Sequence, residues 1–197
     1  MRWDRFFEDL EDQLDSEWEA ERAALDTEAE RLRVARMVLP ERLLALVADS
    51  TEVAVELTGA TAVRGAIAGV GPDWLALDAA ARSHGAILIP VAAICSVALP
   101  HDAQLRSARG AQLRPLQERM TFGFLLRDLV RRRVPVHLDL RGGGSLPGTI
   151  DRAASDHLDL ALHDPGSPRR HDLVTGHRIV PFAAVVGVRL ASFAAPV

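Results

Sequence analysis

Ile89-Pro90-Val91-Ala92-Ala93-Ile94 recurs late in the chain as Val180-Pro181-Phe182-Ala183-Ala184-Val185. Working upstream, Asp73-Trp74-Leu75-Ala76-Leu77 answers to Asp156-His157-Leu158-Asp159-Leu160, and Gly65-Ala66-Ile67 answers to Gly148-Thr149-Ile150. Val55-Glu56-Leu57 answers to Val136-His137-Leu138; downstream, Val97 and Leu99 answer to Val188 and Leu190. The matches keep one order and fall on apolar strand positions and turn residues, the sequence mark of a repeated unit. The extra residues of the second copy fall in two stretches, Arg141-Gly142-Gly143-Gly144 and His163 to His177. Length differences confined to loops are what a shared fold tolerates.

The local pattern within each copy is that of short strands. Val53, Val55 and Leu57 alternate with small or polar residues, the period of a half-buried strand. Gly71-Pro72-Asp73 punctuates the chain between two strand-like runs. A short helix precedes each copy, Glu41 to Ala48 in one case and Phe122 to Arg133 in the other. Residues 101–121 form an Arg-bearing linker of helical character.

Ahead of the repeat, Trp3, Phe7, Leu10 and Leu14 follow 4-3-4 spacing, and Trp18, Leu25 and Leu32 continue at intervals of seven. That spacing predicts one long helix to about Met37 with a narrow apolar seam. Pro40 ends it, because the residue before a proline is pushed out of the helical region. Trp3, Phe7, Leu10, Leu14 and Trp18 are the candidate protein-contact residues. The seam packs on the rest of this protein or on a second copy, or forms a coiled coil with another protein.

Charge is unevenly laid out along the 197 residues. Residues 1–40 hold twelve acids and six Arg, and residues 101–133 hold three acids and eight Arg. Every basic residue is Arg, which with the Ala-rich composition points to a GC-rich bacterial genome. Arg127, Arg131, Arg132 and Arg133, with Arg169 and Arg170, are the candidate nucleic-acid contacts, since guanidinium pairs bidentately with phosphate. The competing expectation is that this basic connector pairs with the acidic helix.

Chemistry is thinly represented. Cys95 is the only cysteine, so an intramolecular disulfide is excluded, and a core position is expected for it. His157, His163, His171 and His177, with Asp156, Asp159, Asp164 and Asp172, show no ligand spacing and read as loop residues, so no metal and no cofactor are expected. Arg141-Gly142-Gly143-Gly144-Ser145 lacks the Lys-Ser/Thr of a phosphate loop and reads as a hairpin turn. No nucleophile or paired acid–base set emerges, so the protein reads as not an enzyme. The start of the chain turns acidic at once, and no apolar run is long enough for a membrane span; a cytoplasmic protein is expected.

Val53-Ala54-Val55-Glu56-Leu57-Thr58-Gly59, then Val63-Arg64-Gly65-Ala66-Ile67, then Leu75-Ala76-Leu77, is similar to the first motif of the Sm-like (Hfq-like) family. Ile89 to Val97 resembles its second motif, where the chain bends tightly between strands four and five. The resemblance implies an α+β fold: a long N-terminal α-helix, then two tandem Sm-like five-stranded β-barrels, each preceded by a short helix. It divides the chain into an acidic helix (1–38), a first barrel (39–100), the linker (101–121), a second barrel (122–191) and a tail (192–197). RNA is the ligand it implies for a non-catalytic binding module. The alternative is a structural or protein-interaction scaffold acting through the acidic helix and the barrel edges, toward a second copy or another protein. Pro90-Val91 and Pro181-Phe182 stand where the family carries the basic and His residues for uridine contacts, so those roles do not transfer. Open strand edges also need a partner or a cover: the other copy in the chain, further chains closing a ring, or the long helix.

Overall fold

The protein is described here as a computed structural model covering residues 3–59, 61–79, 85–164, 166 and 169–190; the expected tail, 192–197, lies outside them. The chain divides into two units, Met1–Val38 and Leu39–Val197.

The first unit is helix α1, Trp3–Arg36, 34 residues long. At 1.5 Å per residue it extends about 51 Å. Exposed Glu–Arg pairs one turn apart, Glu28 with Arg31 and Glu30 with Arg33, support it locally. The Arg33 guanidinium, hydrogen-bonded to Glu30, holds that carboxyl below the ordinary glutamate range.

The second unit opens with α2 (Leu39–Leu44), followed by β1 (Glu52–Leu57), β2 (Thr61–Val70), β3 (Trp74–Ala79), β4 (Ala86–Pro90) and β5 (Ile94–Ala98). The linker contains α3 (His101–Ser107) and α4 (Pro115–Arg119). Then come α5 (Phe122–Arg132), β6 (Pro135–Leu140), β7 (Ser145–Ala153), β8 (His157–Leu162), β9 (Gly176–Pro181) and β10 (Val185–Leu190). Alternation sets the burial: Val53, Val55 and Leu57 of β1 are buried, while Glu52 and Glu56 are exposed.

The expectation of two closed Sm-like barrels is corrected here. All ten strands form one antiparallel sheet in the order β5-β1-β2-β3-β4-β10-β6-β7-β8-β9. Neither five-strand half closes on itself. Instead β4 pairs with β10, placing Leu88 opposite Val188 and Ile87 opposite Arg189. The α+β description in terms of two barrels therefore gives way to a long helix and one open ten-stranded sheet.

The halves still repeat one another in detail. Each has a bulge in its second strand, between Ile67 and Gly69 and between Ile150 and Arg152. Such bulges bend a strand and sharpen its twist. Each has a single 3-10 turn before its last strand, Val91–Ala93 and Phe182–Ala184. In each, the residue opening that turn donates its amide to an aspartate carbonyl, Val91 to Asp73 and Phe182 to Asp156.

One correspondence needs correction. Val53 faces Gly65 and Val136 faces Gly148, while Val55 faces Val97 and Leu138 faces Val188. Val53-Ala54-Val55 is thus the counterpart of Val136-His137-Leu138, two residues from the match read in the sequence. The partner of Glu56 becomes Asp139, and Ser96 matches Gly187.

Two apolar cores result. One gathers Leu43, Leu46, Val55, Leu57, Ile67, Leu75 and Leu77; the other gathers Leu126, Val136, Leu138, Ile150, Leu158 and Leu160. Trp74 and Leu88 belong to the first half in sequence but pack in the second core. Each fully buried Leu or Ile contributes about 1.5–3 kcal/mol over an exposed position.

Candidate functional site: the joint, the open edges and the helix seam

The β4·β10 joint is held by polar contacts around an apolar centre. Asp73 Oδ1 accepts from the backbone amide of Phe122 at 2.7 Å, and the Trp74 indole donates to the carbonyl of Met120. The Arg141 guanidinium donates to Ala183 O at 2.8 Å and to Ala92 O at 3.1 Å, tying both 3-10 turns together. Phe122 and Phe182 meet edge to face at 5.7 Å. On β10, Arg189 pairs with Asp139 at 2.7 Å. A 550 Å³ cleft lies over this region, lined by Asp73, Pro90, Phe122, Arg127, Ser155 and Phe182 among others.

The outermost strands of the sheet are β5 and β9. Beside β5 runs a 430 Å³ groove whose walls include Leu39, Leu43, Leu46, Ile94, Val97 and Leu99. On β9, Ile179 is 74% exposed. The Arg178 guanidinium donates only to the carbonyl of its neighbour His177 among the described residues.

On α1, Leu14, Trp18, Leu25 and Leu32 are all exposed, Trp18 and Leu25 at 63% each. At 100° per residue they fall within an arc of about 40°. Exposed Glu21 and Glu28 flank that arc on one side. The side chains of Trp3, Phe7 and Leu10, the other expected contact residues, lie outside the described ones.

The six expected Arg contacts differ in their surroundings. Arg131 and Arg132 both pair with Asp128. Arg169 binds Asp151 through two 2.6 Å hydrogen bonds, which raise its own pKa. Arg127 reaches the carbonyl of Ala154 at 3.4 Å. Arg133 closes α5 in the left-handed conformation at φ 53°, and it and Arg170 have no ion pair among the described residues.

The histidine cluster also disperses. His163 is buried at the end of β8, not in a solvated loop. Its Nδ1 lies 2.9 Å from the carbonyl of Asp164 and its Nε2 2.8 Å from Thr149 Oγ1. A carbonyl only accepts, so Nδ1 donates to it, while Nε2 and the Thr149 hydroxyl share the second hydrogen bond. His157 pairs with Asp156, and His171 and His177 are exposed. No group of three or more metal-binding side chains occurs among the described residues. Cys95 is exposed on β5, correcting the expected core position, with Thr58 Oγ1 at 3.7 Å from its sulfur. Among the described residues no helix is long and apolar enough to cross a membrane.

No protein family matches the chain, no curated protein matches it in sequence, and no solved structure matches its fold. The Sm-like resemblance therefore has neither family support nor the closed barrels it implied. Sequence reading singled out neither Ile179 nor the edge strand that carries it. The signal was present, because the repeat sets Ile179 at the position of Leu88.

Proposed function

We propose that this protein is a non-catalytic assembly scaffold, in which α1 captures a protein partner and the ten-stranded sheet is the platform that carries it. The observation behind this reading is the line of exposed apolar side chains Leu14, Trp18, Leu25 and Leu32 on a 34-residue helix. A helix presents such a line at a cost in solubility, which a matching apolar ridge on a partner removes. Residues 1–40 carry twelve acids against six Arg, so the fitting partner is helical with basic residues beside its apolar ridge.

Support from the rest of the molecule is chemical. The described polar clusters bind one another: His163 with Thr149, Arg169 with Asp151, Arg131 and Arg132 with Asp128. Each of these side chains is thus engaged by a neighbour within the chain.

The test is capture with the full-length protein, identification of the bound chain, and reconstitution with that chain in pure form. Binding to the full-length protein that is lost on deleting residues 1–38, and weakened at least tenfold by Trp18→Glu with Leu25→Glu, supports the reading. Equal binding by the truncated chain, or no reconstituted binding, overturns it.

A further inference from the structure

The two open edges of the sheet are the counterparts of the two strands that already pair inside the chain. Strand β9 matches β4, and β5 matches β10, through the shared 3-10 turns and register described above. The β4·β10 joint sets Leu88 opposite Val188. In the repeat, Leu88 corresponds to Ile179, and Val188 corresponds to Val97.

We propose that β9 of one copy pairs antiparallel with β5 of another, reproducing the β4·β10 joint between chains. Ile179 then lies opposite Val97, and Arg178 lies opposite Ala98. The partner is a second copy of this chain, because the pairing rule is read from the chain's own internal joint.

Three observations converge on this. First, Leu88 is 7% exposed in the internal joint, while its counterpart Ile179 is 74% exposed. A β-branched apolar side chain on an edge strand is what such an interface buries. Second, in the second half Trp74 and Leu88 enter the core across the joint. The corresponding place beside β5 is the 430 Å³ groove walled by Leu43, Leu46, Ile94 and Val97, open to receive Ile179.

Third, the charges complement. A Cβ at Gly187 would lie 3.0 Å from Ile87 Cδ1 and 3.5 Å from Asp139 Oδ2, so these three positions meet at the internal joint. Their counterparts at the open edges are Ser96, Arg178 and Glu56. Glu56 already accepts from Ser96 Oγ at 2.7 Å, so Arg178 of the incoming strand arrives at a carboxylate. Strand β5 of one copy meets β9 of the next, so the contact is heterologous and propagates until a ring closes or a filament grows.

This deepens the scaffold reading and rests on a different surface, so the two fail separately: Ile179→Glu leaves capture by α1 intact, and removal of residues 1–38 leaves the edge pairing intact. The full chain is sedimented at about 100 μM, the upper end of weak association. A mass well above the single chain's 21.4 kDa is expected, falling to 21.4 kDa with Ile179→Glu at unchanged far-UV circular dichroism. A second measurement uses Cys95→Ser chains carrying Val97→Cys or Ile179→Cys. On mild oxidation the mixture is expected to give a cross-linked heterodimer, while neither variant alone does. A monomeric parent, a mass unmoved by Ile179→Glu, or a mixture that yields no heterodimer beyond the cross-links each variant gives alone would each overturn the proposal.

Discussion

Asp73 and Phe122 are linked by a 2.7 Å hydrogen bond from the helix's first amide to the turn carboxylate, joining the first half of the sheet to α5. The first amides of a helix have no intrahelical acceptor, so an outside carboxylate stabilises both the helix and the joint. Asp73→Ala is expected to cost about 0.5–2 kcal/mol, the range for a lost helix cap. Urea denaturation of the full chain measures it, and Asp73→Asn, which keeps an acceptor, should recover part of the loss.

Gly148 of β7 lies directly against the backbone of β8. A Cβ there would sit 2.1 Å from the carbonyl oxygen of Ala161, a backbone atom that can move only with β8. Gly148→Ala is expected to destabilise by about 1–3 kcal/mol, as overpacking does. Wild-type stability in thermal denaturation would show that β7 and β8 are not so closely paired.

Trp74 reports on the joint optically. The sequence has three Trp, and deleting residues 1–38 removes Trp3 and Trp18. Trp74 is buried, whereas Trp18 is exposed. The truncated chain is expected to emit at shorter wavelength than the full one, shifting to the red on denaturation. Trp74→Ala should cost about 3–5 kcal/mol. A solvent-like emission maximum in the folded truncated chain would contradict the burial.

The ion pairs of the Arg cluster carry their own expectation. With Arg131 and Arg132 on Asp128 and Arg169 on Asp151, filter binding to short single-stranded RNA at low and moderate salt should detect nothing below ~100 μM. Asp128→Asn with Asp151→Asn frees three guanidinium groups and should bring weak, salt-sensitive binding into range. Tight binding by the unmodified chain would contradict this reading of the cluster.

How much of this was legible beforehand follows from where the information lies. Alternation at Val53, Val55 and Leu57 and the break at Gly71-Pro72-Asp73 are local, and both reappear in β1 and in the β2–β3 turn. The repeat was legible because it is carried by side-chain pattern. Its register in the first strand was not. A slip of two residues keeps every side chain on the same face, so Val55-Glu56-Leu57 fits Val136-His137-Leu138 as well as the true counterpart does.

The partner of β4 was hidden for a related reason. Backbone donors and acceptors on a strand edge are the same in any sequence, so nothing in Ala86 to Pro90 says whether the neighbour is β5 or β10. His163 was misread because it sits one residue beyond β8, where the polar neighbour Asp164 gives the look of a loop, while Thr149 across the strand pair satisfies its buried ring.

The joint between β4 and β10 underlies both the platform and its two open edges, and proton NMR tests it most directly. Cross-strand contacts linking Ile87 and Leu88 to Val188 and Arg189 are expected in the full chain and should persist in Ile179→Glu. Their absence, or contacts joining Ile87 and Leu88 to β5 of the same chain, would show two separately closed halves and contradict the continuous sheet.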